Sequence, residues 1–288
     1  MPRLHDVLTL QCLADDMFGT QPLQTLLKHT FGGQLVGQAL AAALRTAPEA
    51  MVPHSLHGYF LRSGLPSRPT ELGVDRLGDS ASFATRHVTT TQEQRTVFSA
   101  SVSFQHIENG LDHQDAMPGV PDPEDADGFT APPPVLTHLM REEWPDWDLR
   151  MVSREAHLDG IPQARSRYWM RHREPLADDP ALHACGLAYL SDLTLLRTAT
   201  LPHPAPPDMA ASLDHNLWLL RPFRVDDWLL YDQTSPSSGN GRGLAQGRFF
   251  DRAGRLVAVV AQEGLLRWPR HRASHRPDIS PSRHGSRT

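Results

Sequence analysis

A helix-forming run followed by about four alternating strands occurs twice in this chain, and that repetition limits the possible folds most. In the first half, "FGGQLVGQALAAALRTAPEA" (residues 31–50) predicts a helix. Gly32 and Gly33 punctuate its start, Ala and Leu fill it, and Pro48 stops it. Gln34 and Gln38, four apart, share a face. Period-2 alternation then predicts strands over residues 55–62, 70–77, 82–91 and 96–105, the last two joined as a hairpin around 92–95. In the second half, the apolar run "HACGLAYLSDLTLLRTAT" (residues 183–200) predicts a helix from about 183 to 198. Strands follow at 212–221, 227–235, 243–251 and 255–267. The halves also match in residues. "HGYFLR" (57–62) pairs with "HNLWLLR" (215–221), and "VSFQ" (102–105) with "VVAQ" (259–262). Gln105 and Gln262 lie 157 residues apart, and adding 158 to Gln34 reaches Asp192.

The expected class is therefore α+β, each repeat a helix wrapped by an antiparallel sheet. Residues 1–107 are read as the first repeat and 108–135 as a Pro/Asp-rich linker. Residues 136–268 form the second repeat, carrying the candidate chemistry, and 269–288 a disordered basic tail. Residues 136–180 offer only a weak extra strand. A net charge of −5 gives no case for a nucleic-acid partner, and no apolar stretch has the length of a membrane span. The N-terminus, with its acids, does not read as a signal peptide. Two cysteines make neither a disulfide framework nor a metal site; Cys185 reads as a small core residue, and a cytoplasmic setting is expected.

Within the second apolar run stands one carboxylate, Asp192, whose burial is costly without partners. A continuous helix would place it on the face of Ala188, Tyr189, Leu195 and Leu196. A structural acid needs hydrogen-bond donors there; a catalytic base needs the same setting and a substrate. Spacing alone favours the structural role. Gln262 interrupts the apolar row of Leu256, Ala258 and Val260, and Ser212 opens "SLDHNLW". With Asp192, these two could hold one water, the carboxylate accepting its proton. His57 and His215 recur in both halves, which favours a structural role. "SSGNGRG" (237–243) lacks Lys and reads as a hairpin turn, not a phosphate loop.

"FGGQLVGQALAAALRTAP", "HSLHGYFLRSG", "ASVSFQ", "LAYLSDL", "LDHNLWLLRPFRVDDWLLYDQTSPS" and "AQEGLLR" together resemble the acyl-CoA thioesterase II family, the TesB-like enzymes, over residues 31–267. The resemblance implies a double hotdog: two repeats, each a long helix wrapped by an antiparallel sheet. It implies hydrolysis of fatty acyl-CoA to free acid and CoA with no cofactor and no metal. It also implies Asp192, Ser212 and Gln262 as the catalytic residues, with Ser where many members have Thr. Gly33, at the start of the first helix, is the candidate oxyanion donor. The alternatives are a hotdog enoyl-CoA hydratase or dehydratase, which wants a His beside the acid, and a non-catalytic acyl-CoA-binding protein. Exposed sheet edges make a homo-oligomer, dimer or tetramer, the expectation.

Overall fold

The computed structural model describes residues 3–125, 129–152 and 164–268. The tail at 269–288 therefore lies outside the described residues. The first repeat opens with helix α1 (Leu4–Leu8) and a hairpin of β1 (Gln11–Ala14) and β2 (Met17–Thr20). Helix α2 (Gly32–Leu44) follows, then β3 (Val52–Phe60), β4 (Thr70–Asp79), β5 (Phe83–Gln92) and β6 (Arg95–Gln105). The second repeat contains β7 (Phe129–Thr130), α3 (Pro134–Glu143), β8 (Trp147–Val152) and β9 (Arg165–His172). After these come α4 (Pro180–Leu190), α5 (Leu195–Thr198), β10 (Met209–Ser212), β11 (Asp214–Leu219), β12 (Leu229–Gly239), β13 (Arg242–Asp251) and β14 (Leu256–Arg267).

The repetition is visible in the strand order. One antiparallel sheet runs β1-β2-β4-β5-β6-β3-β11-β14-β13-β12-β9-β8-β7, with β10 also on β14. Read outward from the central β3–β11 pair, the two halves run in matching order, the second with β7 as an additional edge strand. Helix α2 is the connection from β2 to β3, and α4 the corresponding connection from β9 to β11. The two helices pack antiparallel: a Cβ on Gly33 would meet the Tyr189 carbonyl, and one on Gly37 the Cys185 carbonyl. Around them the sheet contributes Val88, Phe98, Phe104, Tyr231 and Phe249, all fully buried. Because α4 is enclosed on all sides, it is apolar all round, as His183 to Leu190 are all buried.

Several expected boundaries move. The first helix stops at Leu44, short of Pro48. The second breaks after Leu190 and resumes at Leu195, so Asp192 is not a helix-interior residue. The Leu213 position separates two strands where one was expected. The described residues among 136–180 include a helix and two strands, not a single strand. The hairpin at 237–243 turns through Asn240 and Gly241, both with positive φ (52° and 71°), as a tight two-residue loop needs.

The residue matches between the halves slip by one position. His215 faces Gly58 across the seam, and His57 faces Asn216. Successive strand residues point to opposite faces, so His215 is buried while His57 is exposed. Gln105 is likewise half-exposed and Gln262 buried. These pairs are not structural equivalents. Gln34 begins α2 whereas Asp192 follows α4, so the addition of 158 joins unlike places.

The two thiols differ sharply. Cys12 is exposed, while Cys185 is buried and its thiol is pushed up to about 12 by desolvation. Titration with a thiol reagent is expected to label one cysteine quickly in the native chain and both after denaturation. Two fast thiols in the native chain would contradict this packing.

Candidate active site

The turn between α4 and α5 places the acid. Ser191 caps α4 and Leu193 N–H returns to the Leu190 carbonyl at 2.9 Å. Thr194 then adopts a left-handed φ of 68°, unusual for a β-branched residue. Its hydroxyl accepts from Gln233 Nε2 at 2.7 Å, and Tyr231 donates to the Ser191 carbonyl at 2.5 Å. The turn is thus pinned from the sheet side, with Asp192 half-buried at its tip.

Two donors meet the carboxylate. Gly33 N–H donates to Asp192 Oδ2 at 2.9 Å, from the first turn of α2 in the other repeat. Gln262 Nε2 donates to Asp192 Oδ1 at 2.9 Å and to Ser212 Oγ at 2.5 Å. All three expected residues therefore adjoin. They come from the α4–α5 turn, the end of β10 and the middle of β14. As alternation requires, Gln262 is buried on the same side as Ala258 and Val260.

A carboxylate cannot face another acceptor, so the Gln262 amide must present its NH₂ to Asp192. Its carbonyl oxygen then faces His215 Nδ1 at 3.1 Å, which must carry the proton. His215 Nε2 lies 2.8 Å from Ser191 Oγ, which also donates to the Ala188 carbonyl at 2.9 Å. The result is a directed link from His215 through Gln262 to the acid. His215 was legible only as a recurring histidine; its link to Gln262 follows from neighbouring strands that no short motif spans.

Burial depresses the His215 pKa, against the raising influence of Asp192. A folded-state pKa below the unfolded value near 6.5 gives stability that is full above about pH 6.5. That stability falls as pH drops through the folded value. His54 and His183, also depressed mainly by burial, act in the same direction. The His215 share is the difference between wild type and His215→Gln in melting temperature from pH 7.5 to 5. The variant is expected to show the shallower loss. Equal slopes would mean that His215 does not titrate on unfolding.

Gly32 and Gly33 make the approach possible. A Cβ on Gly32 would stand 2.7 Å from Asp192 Oδ2, and one on Gly33 only 2.1 Å from the Tyr189 carbonyl oxygen. Next to this junction, Leu23, Leu27, Phe31, Trp144 and Tyr189 line a crevice of about 20 Å³. Among the described residues no group of three or more His, Cys, Asp or Glu is placed to hold a metal ion. No helix among them is long and apolar enough to cross a membrane.

Comparison with known proteins completes the picture. The family model of the acyl-CoA thioesterase N-terminal domain matches residues 21–105, and that of the C-terminal domain residues 114–266. The chain belongs to the acyl-CoA thioesterase family. Mouse acyl-coenzyme A thioesterase 8 is 36% identical over 282 residues, covering 91% of this chain and 88% of that protein. The crystal structure of acyl-CoA thioesterase II TesB2 from Mycobacterium marinum is 44% identical, with a TM-score of 0.82. It covers 93% of this chain and 99% of its own. A hot dog fold protein from Alicyclobacillus acidocaldarius, 22% identical, superposes with a TM-score of 0.75 over 92% of this chain and 98% of its own. This last likeness concerns fold alone. The fold of this acyl-CoA thioesterase family member is a double hotdog, and family membership makes it a thioester hydrolase.

Proposed function

We propose that the chain hydrolyses fatty acyl-CoA to a free fatty acid and CoA, using a water activated by Asp192 and oriented by Ser212 and Gln262. One observation carries this reading: a single amide, Gln262 Nε2, joins the carboxylate of Asp192 to the hydroxyl of Ser212. Both amide hydrogens are then engaged. Ser212 Oγ accepts one of them, so its own O–H is free to donate outward. A water placed there would receive that hydrogen bond and give its proton to Asp192 as its oxygen attacks the thioester carbonyl. Collapse of the tetrahedral intermediate breaks the carbon–sulfur bond. The thiolate of CoA leaves and takes up the proton held by Asp192.

Gly33 is the weaker oxyanion candidate, because its N–H is engaged with Asp192. In this reading it holds the acid, and the adjoining first-turn N–H of Gly32 is better suited to the oxyanion. His215 is a positioning residue, holding the Gln262 amide with its NH₂ toward the acid. The small crevice beside Phe31, Trp144 and Tyr189 would have to widen for an acyl chain. Two free cysteines suit a cytoplasmic chain, and the exposed edge at β1 suits a homo-oligomer. Light scattering of the purified chain tests the latter, a monomer being the contrary result.

The deciding experiment is thiol release from a panel of saturated and 2-enoyl acyl-CoAs. Hydrolysis releases thiol from both kinds. A hydratase consumes the enoyl absorbance without releasing thiol, and a binding protein does neither.

A further inference from the structure

A cavity of about 1280 Å³ lies away from Asp192. It lies at the other end of α2 and α4, roughly 16 Å away along α2. The repeat explains the position. The antiparallel pairing that sets the end of α4 against the start of α2 also sets the end of α2 against the start of α4. The first junction holds Asp192. The second opens into the cavity, whose wall includes Leu8, Leu44, Met51 and Leu229.

This second junction has no acid at the position corresponding to Asp192. Where Ser191 and Asp192 follow α4, Arg45 and Thr46 follow α2. Thr46 Oγ1 donates to the Ala43 carbonyl and accepts from Arg86 Nε, so it is fully engaged. Its wall carries several donors, of which two matter here. His183, in the first turn of α4, lines the cavity and is 2% exposed. Its Nδ1 accepts from Val225 N–H at 3.3 Å, which puts the proton of the neutral ring on Nε2. Nε2 has no hydrogen-bond partner. The nearby acids are occupied: Asp178 and Asp226 by Arg224, and Asp179 by Ala181 N–H. Glu49 and Asp227 line the rim but are exposed to water. Across from α4, the Arg45 guanidinium also lines the cavity, exposed and with no ion pair among the described residues.

We propose that this cavity is a second, non-hydrolytic site for a fatty carboxylate. Arg45 and His183 Nε2–H receive the head, and the apolar wall receives the chain. The choice of ligand rests on the hydrolysis reading, of which it is the product; the site itself does not. A cavity above the roughly 300–1,000 Å³ of ordinary ligand pockets has ample room for it.

Equilibrium dialysis of laurate against the full chain tests the proposal, with CoA release measured on the same samples. Arg45→Glu is expected to weaken one class of bound laurate by roughly tenfold or more, the scale of a lost charge-assisted hydrogen bond. Hydrolysis should be unchanged. Arg45→Lys should retain most of the binding, and the remote exposed Arg95→Glu all of it. His183→Phe should give the same loss, provided its melting temperature shows that it folds. Arg45→Glu binding laurate as wild type does would overturn the proposal, as would an equal loss in Arg95→Glu. Laurate binding that depends on Arg45 in a chain releasing no CoA would keep the site and remove the hydrolysis reading.

Discussion

Asp192→Asn is expected to lower kcat for acyl-CoA hydrolysis by about 10²–10⁴-fold, the usual range for losing a general base, with KM little changed. The side chain keeps its shape but loses its proton acceptor. It also meets a mismatch. The wild-type oxygens accept from Gly33 N–H and Gln262 Nε2, both at 2.9 Å. In the variant one oxygen becomes an NH₂ that must face one of those donors. The cost of that mismatch is about 1–3 kcal/mol of stability, so the melting temperature should fall modestly while the fold persists. Steady-state kinetics and thermal unfolding on one preparation separate the two effects. A variant retaining more than a tenth of wild-type kcat would remove Asp192 from the proton transfer.

Gly33→Ala is expected to be nearly as damaging, though no reacting group is altered. Its Cβ would stand 2.1 Å from the Tyr189 carbonyl oxygen and 2.5 Å from the Phe31 ring. The carbonyl belongs to the last turn of α4 and cannot rotate away. The start of α2 must therefore back off from α4, at a cost of about 1–3 kcal/mol or more. The same movement carries the Gly33 N–H away from Asp192, whose orientation depends on it. A displacement of about 1 Å at a catalytic group can cost on the order of 10²-fold in rate. The denaturation midpoint and kcat should fall together. If the midpoint falls and kcat holds, Gly33 N–H is not needed to orient the acid.

These effects show what the sequence could and could not reveal. The repeat was legible because strand alternation and helix-forming composition are local. Asp192 and Gln262 were legible for a related reason: each interrupts an apolar run, and an interruption on a buried face needs partners. The geometry joining them was not legible. Asp192 and Gly33 are 159 positions apart and meet only because α2 and α4 pack antiparallel. The break after Leu190 escaped the helix reading because no Gly or Pro marks it. Thr194 makes the turn, held in a left-handed conformation by Gln233 from the neighbouring sheet. His57 and His215 look alike in sequence, yet a register one residue different sends one to solvent and the other to Gln262. Residues 136–180 were obscure because arginines there pack against an aromatic ring from a distant region of the chain. Arg150 and Arg171, for example, both lie over the Trp228 ring, a contact without periodicity.

The most direct measurement of the central claim is a single turnover of an acyl-CoA in ¹⁸O-labelled water with enzyme in excess. If Asp192 activates a water that attacks the thioester, one ¹⁸O enters the fatty acid and none enters the protein. An acyl-aspartate anhydride opened by water at the Asp192 carboxyl carbon would instead leave ¹⁸O in the peptide carrying Asp192, and that result would contradict the mechanism.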